Sequence, residues 1–479
     1  MTKGSFRKSI AYITRNRGVV FFRAGESPIA TLLGAIVVSL TACSSGRPAT
    51  HPTPVSACTV GSDAAGARDT LSIATMEPVD PTNAPAPTNA IERLAFAQVY
   101  EMLIDVDCDG AARPALAASW TFDATRTRVT LSLRGGAQFS SGKSVTAADV
   151  LAAWQTTAAR SMAPGQLARR IAGGTTIVDE HTLVVSLPDT AWLVLADPIL
   201  AVYEPRSADG WPAGTGAYRV ESSDVSAGAL VLAPMAPSTN PYLIARPVPS
   251  GDLRDAIDAG ADVLVAVDPL VASYAAARAT LAAVPLPWTR TYVLALPTAA
   301  LRLSQLLSQP DSQSVALRAS LARDAVRAQA RPAESPSWWD APANCGAALD
   351  APTATREQRS NRVVYRREDA TARGLAARLV ALDSRTVAAG LLPNEFARAL
   401  REGGDVAYVL DLPAHSLSPC TDLAALRSAA PWLASGFATD ARLLPLVDTR
   451  ETALINRKRV SATVDWSGTL HFGGARSQP

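Results

Sequence analysis

The 479-residue chain is short of lysine, histidine, cysteine and aromatic rings, and each shortage narrows what it does. Only Lys3, Lys8, Lys143 and Lys458 are lysines, against 41 arginines, which reflects a GC-rich genome more than a function. No basic block exists outside the N-terminus. Residues 1–42 hold six basic residues and one acid, and the rest of the chain holds 39 basic against 42 acidic. So near-neutral a body argues against nucleic acid as partner. The histidines, at His51, His181, His415 and His471, lie far apart, and no C-x-x-C occurs, so no metal site is expected. There is no G-x-S-x-G elbow and no H-E-x-x-H. We therefore expect no catalytic residues, no cofactor and no enzyme. What is present is apolar residue in quantity, 48% of the chain. That excludes disorder for most of the chain and supports about two to four domains at roughly 100–200 residues each.

Ile29 to Ala42 is an apolar run of 14 residues broken by Thr31, Gly34, Ser39 and Thr41. A spanning helix needs about 20, so the run fits the apolar region of a signal peptide behind a basic segment. It ends in Leu40-Thr41-Ala42-Cys43 and runs on into Ser44-Ser45-Gly46, which resembles a bacterial lipobox. The resemblance implies that residues 1–42 are removed and that Cys43 is lipidated. Two or three acyl chains, at about 0.8 kcal/mol per buried CH₂, would anchor the protein to the extracytoplasmic face of a cell membrane. Residues 43–58, rich in Pro, Ser and Thr, read as a tether.

Four further cysteines remain, Cys58, Cys108, Cys345 and Cys420. In an exported protein an even count reads as disulfides. Four cysteines allow three connectivities. We expect Cys58–Cys108 and Cys345–Cys420, since each pair stays within one half of the chain, with four buried thiols as the alternative. Each bridge would contribute roughly 4 kcal/mol in the chain-entropy picture.

Periodicity places short strands and helices in alternation, an α/β or α+β class. Strands are expected at 70–74, 128–134, 176–178, 182–187, 218–220 and 229–232. Helices are expected at 89–103, 253–259, 315–328, 370–381 and 394–402, and another begins at Thr146, where T-A-A-D forms a short capping box with Asp149. Gly136 to Ser144 sits between strand and helix as a phosphate loop would. That loop needs G-x-x-x-x-G-K-[ST], and the first glycine position is Ala137.

Several segments together resemble the extracellular solute-binding protein family 5, the dipeptide-, oligopeptide- and nickel-binding proteins of ABC importers. They are Val79-Asp80-Pro81, Val99-Tyr100-Glu101-Met102-Leu103, Leu116-Ala117-Ala118-Ser119-Trp120, and above all Leu133 to Gly142 running into Val145 to Val150 and Trp154. Gly214-Thr215-Gly216-Ala217-Tyr218 is similar to the family's "GTGPY", and Tyr292 to Pro297 to its strand entering the second lobe. Arg373 to Leu382 and Phe396 to Val406 resemble its stretch leading to "DYD".

The resemblance implies an α/β, two-lobed periplasmic-binding-protein-like fold (type II, family 5 architecture) with a shortened second lobe. Lobe I would hold 59–296 with 446–479, and lobe II 297–445. A small, peptide-like solute would be enclosed between them and passed to an ABC importer permease, with the protein acting as a monomer. Peptide-binding members carry an aspartate after "DYD" that pairs with the ligand ammonium. Aligned on Asp405, that position here is Ala414. Asp411 falls where a tryptophan is common, and Tyr408 at an arginine-like position. Asp411 is then the expected carboxylate from a shifted place, unless the ligand lacks an amine. Tyr408, Trp338 and Trp339 are the other candidates to line the cleft, against the plainer reading that they fill core or shield a lobe surface. The missing aspartate and short second lobe favour an alternative: a degenerate relative that no longer transports and serves in cell-envelope interaction or sensing.

Overall fold

The computed structural model describes residues 58–61, 70–159, 163–187, 192–205, 210–224, 226–235, 240–296, 312–326, 330–333, 362–382, 386–403, 406–413, 426, 429–430 and 443–472. Cys43, Trp338, Trp339, Cys345, Ala414 and Cys420 lie outside them.

In chain order the elements begin with β1 (Thr59–Gly61), β2 (Thr70–Thr75), α1 (Ala90–Val99), β3 (Ile104–Val106), β4 (Ala112–Pro114), β5 (Ala117–Phe122), β6 (Arg128–Leu133), α2 (Ala147–Ala158) and α3 (Ala163–Gly173). Then come β7 (Thr175–Ile177), β8 (Thr182–Ser186), β9 (Tyr218–Asp224), β10 (Ala229–Pro234), β11 (Tyr242–Pro247), α4 (Leu253–Asp258), β12 (Val263–Ala266), α5 (Pro269–Ala276) and β13 (Leu281–Ala295). The last are α6 (Ser312–Val326), β14 (Ala330–Pro332), β15 (Arg362–Arg366), α7 (Ala370–Leu382), β16 (Val387–Leu391), α8 (Pro393–Glu402), β17 (Ala407–Pro413), β18 (Leu443–Asn456), β19 (Ser461–Val464) and β20 (Leu470–Phe472).

One sheet runs β16-β15-β17-β13-β18-β12-β2-β11-β10-β9, with β14 also on β18. Its centre is the pair β13 and β18, 15 and 14 residues long. At about 3.3 Å per residue such strands reach nearly 50 Å, enough to serve two sets of neighbours. The last residues of β18, paired with the first half of β13, meet β12, which runs parallel to β2, itself parallel to β11. The far end of β13 meets β17, which runs parallel to β15 and, through it, to β16. Parallel strands need helical crossovers that cover both faces. In the second set α7 buries Leu375 and Leu379 on one face with Tyr292 and Val409. On the other face α8 buries Phe396 and Leu400 with Tyr408 and Leu410.

A smaller antiparallel sheet, β5-β6-β8-β7, packs on α2 and α3 around Phe139 and Trp154. The Trp154 indole N–H donates to the Leu200 carbonyl at 2.7 Å, which permits its complete burial. The Thr146 capping box forms: the Asp149 amide donates to Thr146 Oγ1 at 3.3 Å, and the Thr146 amide to Asp149 Oδ2 at 2.9 Å. Lys143 spends its ammonium on the same Asp149 at 2.6 Å. The segment that mimics a phosphate loop is thus a helix entry.

Helix α1 stops at Val99, four residues short of the expected end, because tertiary pairing takes over. Glu101 bridges to Val202, and the Met102 and Leu103 carbonyls accept the Leu116 and Ala117 amides. The turn at Gly214 and Gly216 closes on this point. A Cβ on Gly214 would lie 1.9 Å from the Val99 carbonyl oxygen, and one on Gly216 2.3 Å from that of Gln98. Only glycine allows that approach. Cys58 and Cys108 are joined in a disulfide, tying β1, and through it the β19–β20 hairpin, to the turn after β3.

Candidate functional site

Strand direction locates the site. β12 ends at Ala266, opposite Thr452, and Thr452 lies opposite Pro285 of β13. β17 runs the other way and ends at Pro413, opposite Arg290. The carboxyl ends of the two parallel sets therefore point at each other across residues 285–290 of β13. In open α/β sheets, ligands bind beyond the carboxyl ends of strands, where the strand order reverses. The second set has such a reversal. The chain leaves β15 through α7 to β16 on one side, then returns through α8 to β17 on the other. That rule puts the candidate crevice between the ends of β15 and β17.

Four charged side chains meet there. The Arg290 guanidinium grips Asp411 bidentately, with Nε donating to Oδ1 at 3.2 Å and Nη2 to Oδ2, while Nη1 donates to Glu451 Oε1 at 2.9 Å. The Tyr292 hydroxyl lies 3.2 and 3.1 Å from the two carboxylate oxygens of Asp369. Asp369 also accepts the Ala372 amide at 2.8 Å and so caps α7. All are half-buried or buried. Beside them the Thr449 hydroxyl, on a residue 4% exposed and opposite Arg290 in register, finds no hydrogen-bond partner among the described residues.

Burial works against the Arg290 charge, but Asp411 and Glu451 outweigh it and hold the group firmly protonated. Burial pushes the Tyr292 hydroxyl well up, and Asp411 and Asp369 add to this, so it stays a donor. Burial raises the Asp369 carboxyl, and the Asp411 charge reinforces that, against the Ala372 amide and the Tyr292 hydroxyl. Among the described residues three carboxyl groups thus gather at the Arg290 guanidinium, while Arg331 and Arg450 stack over Trp288 of the same strand segment. The excess of acid suits a further cation, such as an ammonium group.

Sequence reading named Asp411 and Tyr408 together, and the fold separates them. Successive strand residues point to opposite faces, so a spacing of three cannot share one. Asp411 lies opposite Tyr292, on the α7 face. Tyr408 is fully buried on the α8 face, edge-on to Phe396, its hydroxyl 2.7 Å from both the Ala399 and Gly403 carbonyl oxygens, which share its one hydrogen. It sits in the core, the reading that the sequence also offered for it. Sequence reading missed Arg290, Tyr292, Asp369 and Glu451 as site residues. Asp369 carried a signal, an acid between a strand and a helix. Arg290 and Glu451 carried none, being 161 residues apart.

A second concavity, walled by Pro85, Phe96, Tyr100 and Trp466, is apolar, and its Asp465 is already engaged by Ser467, Thr469 and His471.

Residues 111–233 match the family model described as bacterial extracellular solute-binding proteins, family 5 Middle. A dipeptide-binding protein of Pseudoalteromonas sp. SM9913, solved with Met-Leu, superposes with a TM-score of 0.61 at 14% identity, covering 84% of this chain and 98% of its own. NikA of Brucella suis, in complex with Fe(III)-EDTA, gives 0.56 at 17% identity, with 84% and 98% covered. DppA of Helicobacter pylori, in complex with the peptide STSA, gives 0.57 at 12% identity over the same shares. No curated protein matches the sequence. The resemblance to family 5 read from residues 99–154 holds, and the chain has the two-lobed family 5 solute-binding fold. Among the described residues no helix is long and apolar enough to cross a membrane.

Proposed function

We propose that the protein captures a small solute bearing a cationic group, a peptide first among candidates, between its two lobes and delivers it to an ABC importer. The observation that carries this reading is the convergence of two sets of strand ends on Asp369, Asp411 and Glu451, the last two bonded to Arg290. Lobe I, expected at 59–296 with 446–479, then ends near residue 290 of β13, because Tyr292 and Leu294 share a core with Leu375, Val409, Leu446 and Val447, and lobe II, expected at 297–445, begins there. The hinge falls at 285–290 of β13, where the pairing with β18 shifts register twice and Pro285 and Pro287 offer no N–H. Closure about that hinge brings Met76 and Val267, just past β2 and β12, toward the acid cluster. Cys43 carries the lipid that keeps the protein at the extracytoplasmic face of the membrane. No chemistry is performed on the solute.

The Arg290 grip on Asp411 supports a second reading, a relative that no longer transports, because the carboxylate already has a cation. Native mass spectrometry of the protein released from its own membranes separates the two. Under the first reading a small amine-bearing solute co-purifies, and adding peptide raises the unfolding midpoint. A hundredfold excess over Kd corresponds to about 2.7 kcal/mol. A protein that comes away empty and shows no shift with peptides, amino acids or metal chelates fits the second reading.

A further inference from the structure

Facing the acid cluster, the first set of strands ends in apolar side chains that the fold leaves uncovered. Met76 directly follows β2 and is 52% exposed. Val267 directly follows β12 and is 41% exposed, and Leu270, in the first turn of α5, is 60% exposed. β2 and β12 are parallel neighbours with Ile73 opposite Val263, so Met76 and Val267 leave strands about 5 Å apart, on the same edge. Local folding does not account for their position. The helix start needs Asp268, whose side chain accepts the Leu270 amide at 2.8 Å, and the neighbouring strands bury Ile73 and Val263 without help from the rim. The polar groups of this edge are committed elsewhere or exposed: Asp268 caps α5, Asp252 and Arg254 pair with one another at 2.5 Å, and Glu77 is exposed.

Resting on the reading that a cationic solute is captured here, we infer that the solute presents an apolar side chain to Met76, Val267 and Leu270 while its cation sits at Asp369, Asp411 and Glu451. Acid on one wall and hydrocarbon on the other select a molecule with both ends. An ammonium ion alone, or a polar polyamine, satisfies only the first wall. Burying one large aliphatic side chain against such a rim corresponds to about tenfold or more in affinity.

The test uses isothermal titration of the mature chain with two dipeptides of equal charge and length, Leu-Leu and Ser-Ser. The expected result is that Leu-Leu binds about tenfold or more tightly, and that Met76→Ser combined with Leu270→Ser brings the ratio close to one. Both side chains are exposed, so an unchanged unfolding midpoint checks that the variant is folded. Equal binding of the two dipeptides by the natural chain overturns the inference and leaves the cation reading standing. So does a double variant that weakens both dipeptides equally, which would make the rim a lobe-closing contact. Failure of both dipeptides to bind overturns the cation reading itself and the inference with it.

Discussion

The buried ion pairs at Glu101 and Asp262 and the cluster beside Arg290 differ in arithmetic. Glu101 is buried against Arg134, one acid to one base, with bonds of 3.0 and 2.8 Å. Asp262 is likewise buried against Arg459 at 2.6 Å, and it also accepts the Ser72 amide at 3.0 Å and the Ser72 hydroxyl at 3.1 Å. Both tie remote parts of the chain together and leave no charge over. The cluster on β13 gathers three carboxyl groups at the Arg290 guanidinium, and it stands at strand ends. A surplus of acid can be met in two ways, because an unmatched buried charge is costly unless a counter-charge or hydrogen-bond donors compensate it. The buried Glu92 accepts from Asp80, Asn83 and Thr88, whereas the cluster beside Arg290 stands open to a further cation.

The comparison breaks most visibly at Asp262. Asp262→Ala strands the Arg459 guanidinium, and chemical denaturation should show a loss of about 3–5 kcal/mol in unfolding free energy. Its effect on solute affinity should be negligible. The next largest effect belongs to the cluster and has the opposite character. Asp411→Asn keeps the shape and leaves Arg290 its bond to Glu451, so stability should change little. Affinity for an amine-bearing solute should fall about 100-fold, as when one partner of a buried charge pair is removed. Titration calorimetry beside a melting curve reads both. If Asp411→Asn destabilises as much as Asp262→Ala and spares binding, the two kinds of charge are one kind.

Tyr408 sharpens the contrast from within a single strand. Tyr408→Phe removes a hydroxyl that serves two carbonyls at the end of α8 and should cost about 1 kcal/mol of stability. Solute affinity should not move. A loss of affinity with stability intact would return Tyr408 to the cleft.

The smallest effect is a pH dependence far from the cleft. His471 Nε2 lies 3.0 Å from Asp465 Oδ2. Burial works against the charged ring, but the bond to Asp465 and the charges of Asp465 and Asp105 outweigh it and lift the His471 pKa above its ordinary value. A raised folded pKa gives stability that is complete below the unfolded value, about 6.5, and is lost as pH rises through the folded value. The unfolding midpoint should therefore drop as pH is raised from about 6 into the alkaline range. His471→Gln should flatten that part of the profile.

How much of this was legible in the sequence depends on how local each feature is. The strand at 128–133 alternates cleanly, the Thr146 box is a four-residue signal, and Asn89 caps α1 by accepting the Glu92 amide at 2.8 Å. Periodicity sees such features because they are complete within one window. The two long strands were not legible as such. β13 contains Pro285 and Pro287, and its register against β18 shifts three times, which breaks the period-two pattern. Its far end alone was recognised, at Tyr292, through family likeness. The site inherits that difficulty, since Arg290 and Glu451 come from the two crossing strands and Asp369 from a βα turn between them. Alignment to the family reached Asp411 and also delivered Tyr408. Only the pleat of β17 could tell which of the two faces the crevice.

The measurement that bears most directly on the central claim compares one peptide in two forms, with a free amino terminus and with that terminus acetylated, by calorimetry against the unmodified protein. If the surplus of acid at Asp369, Asp411 and Glu451 recognises a cation, the free form binds and the acetylated form binds about 100-fold more weakly, as loss of one partner from a buried charge pair requires. Equal affinity of the two forms would contradict the account, because the recognised group would then not be the ammonium.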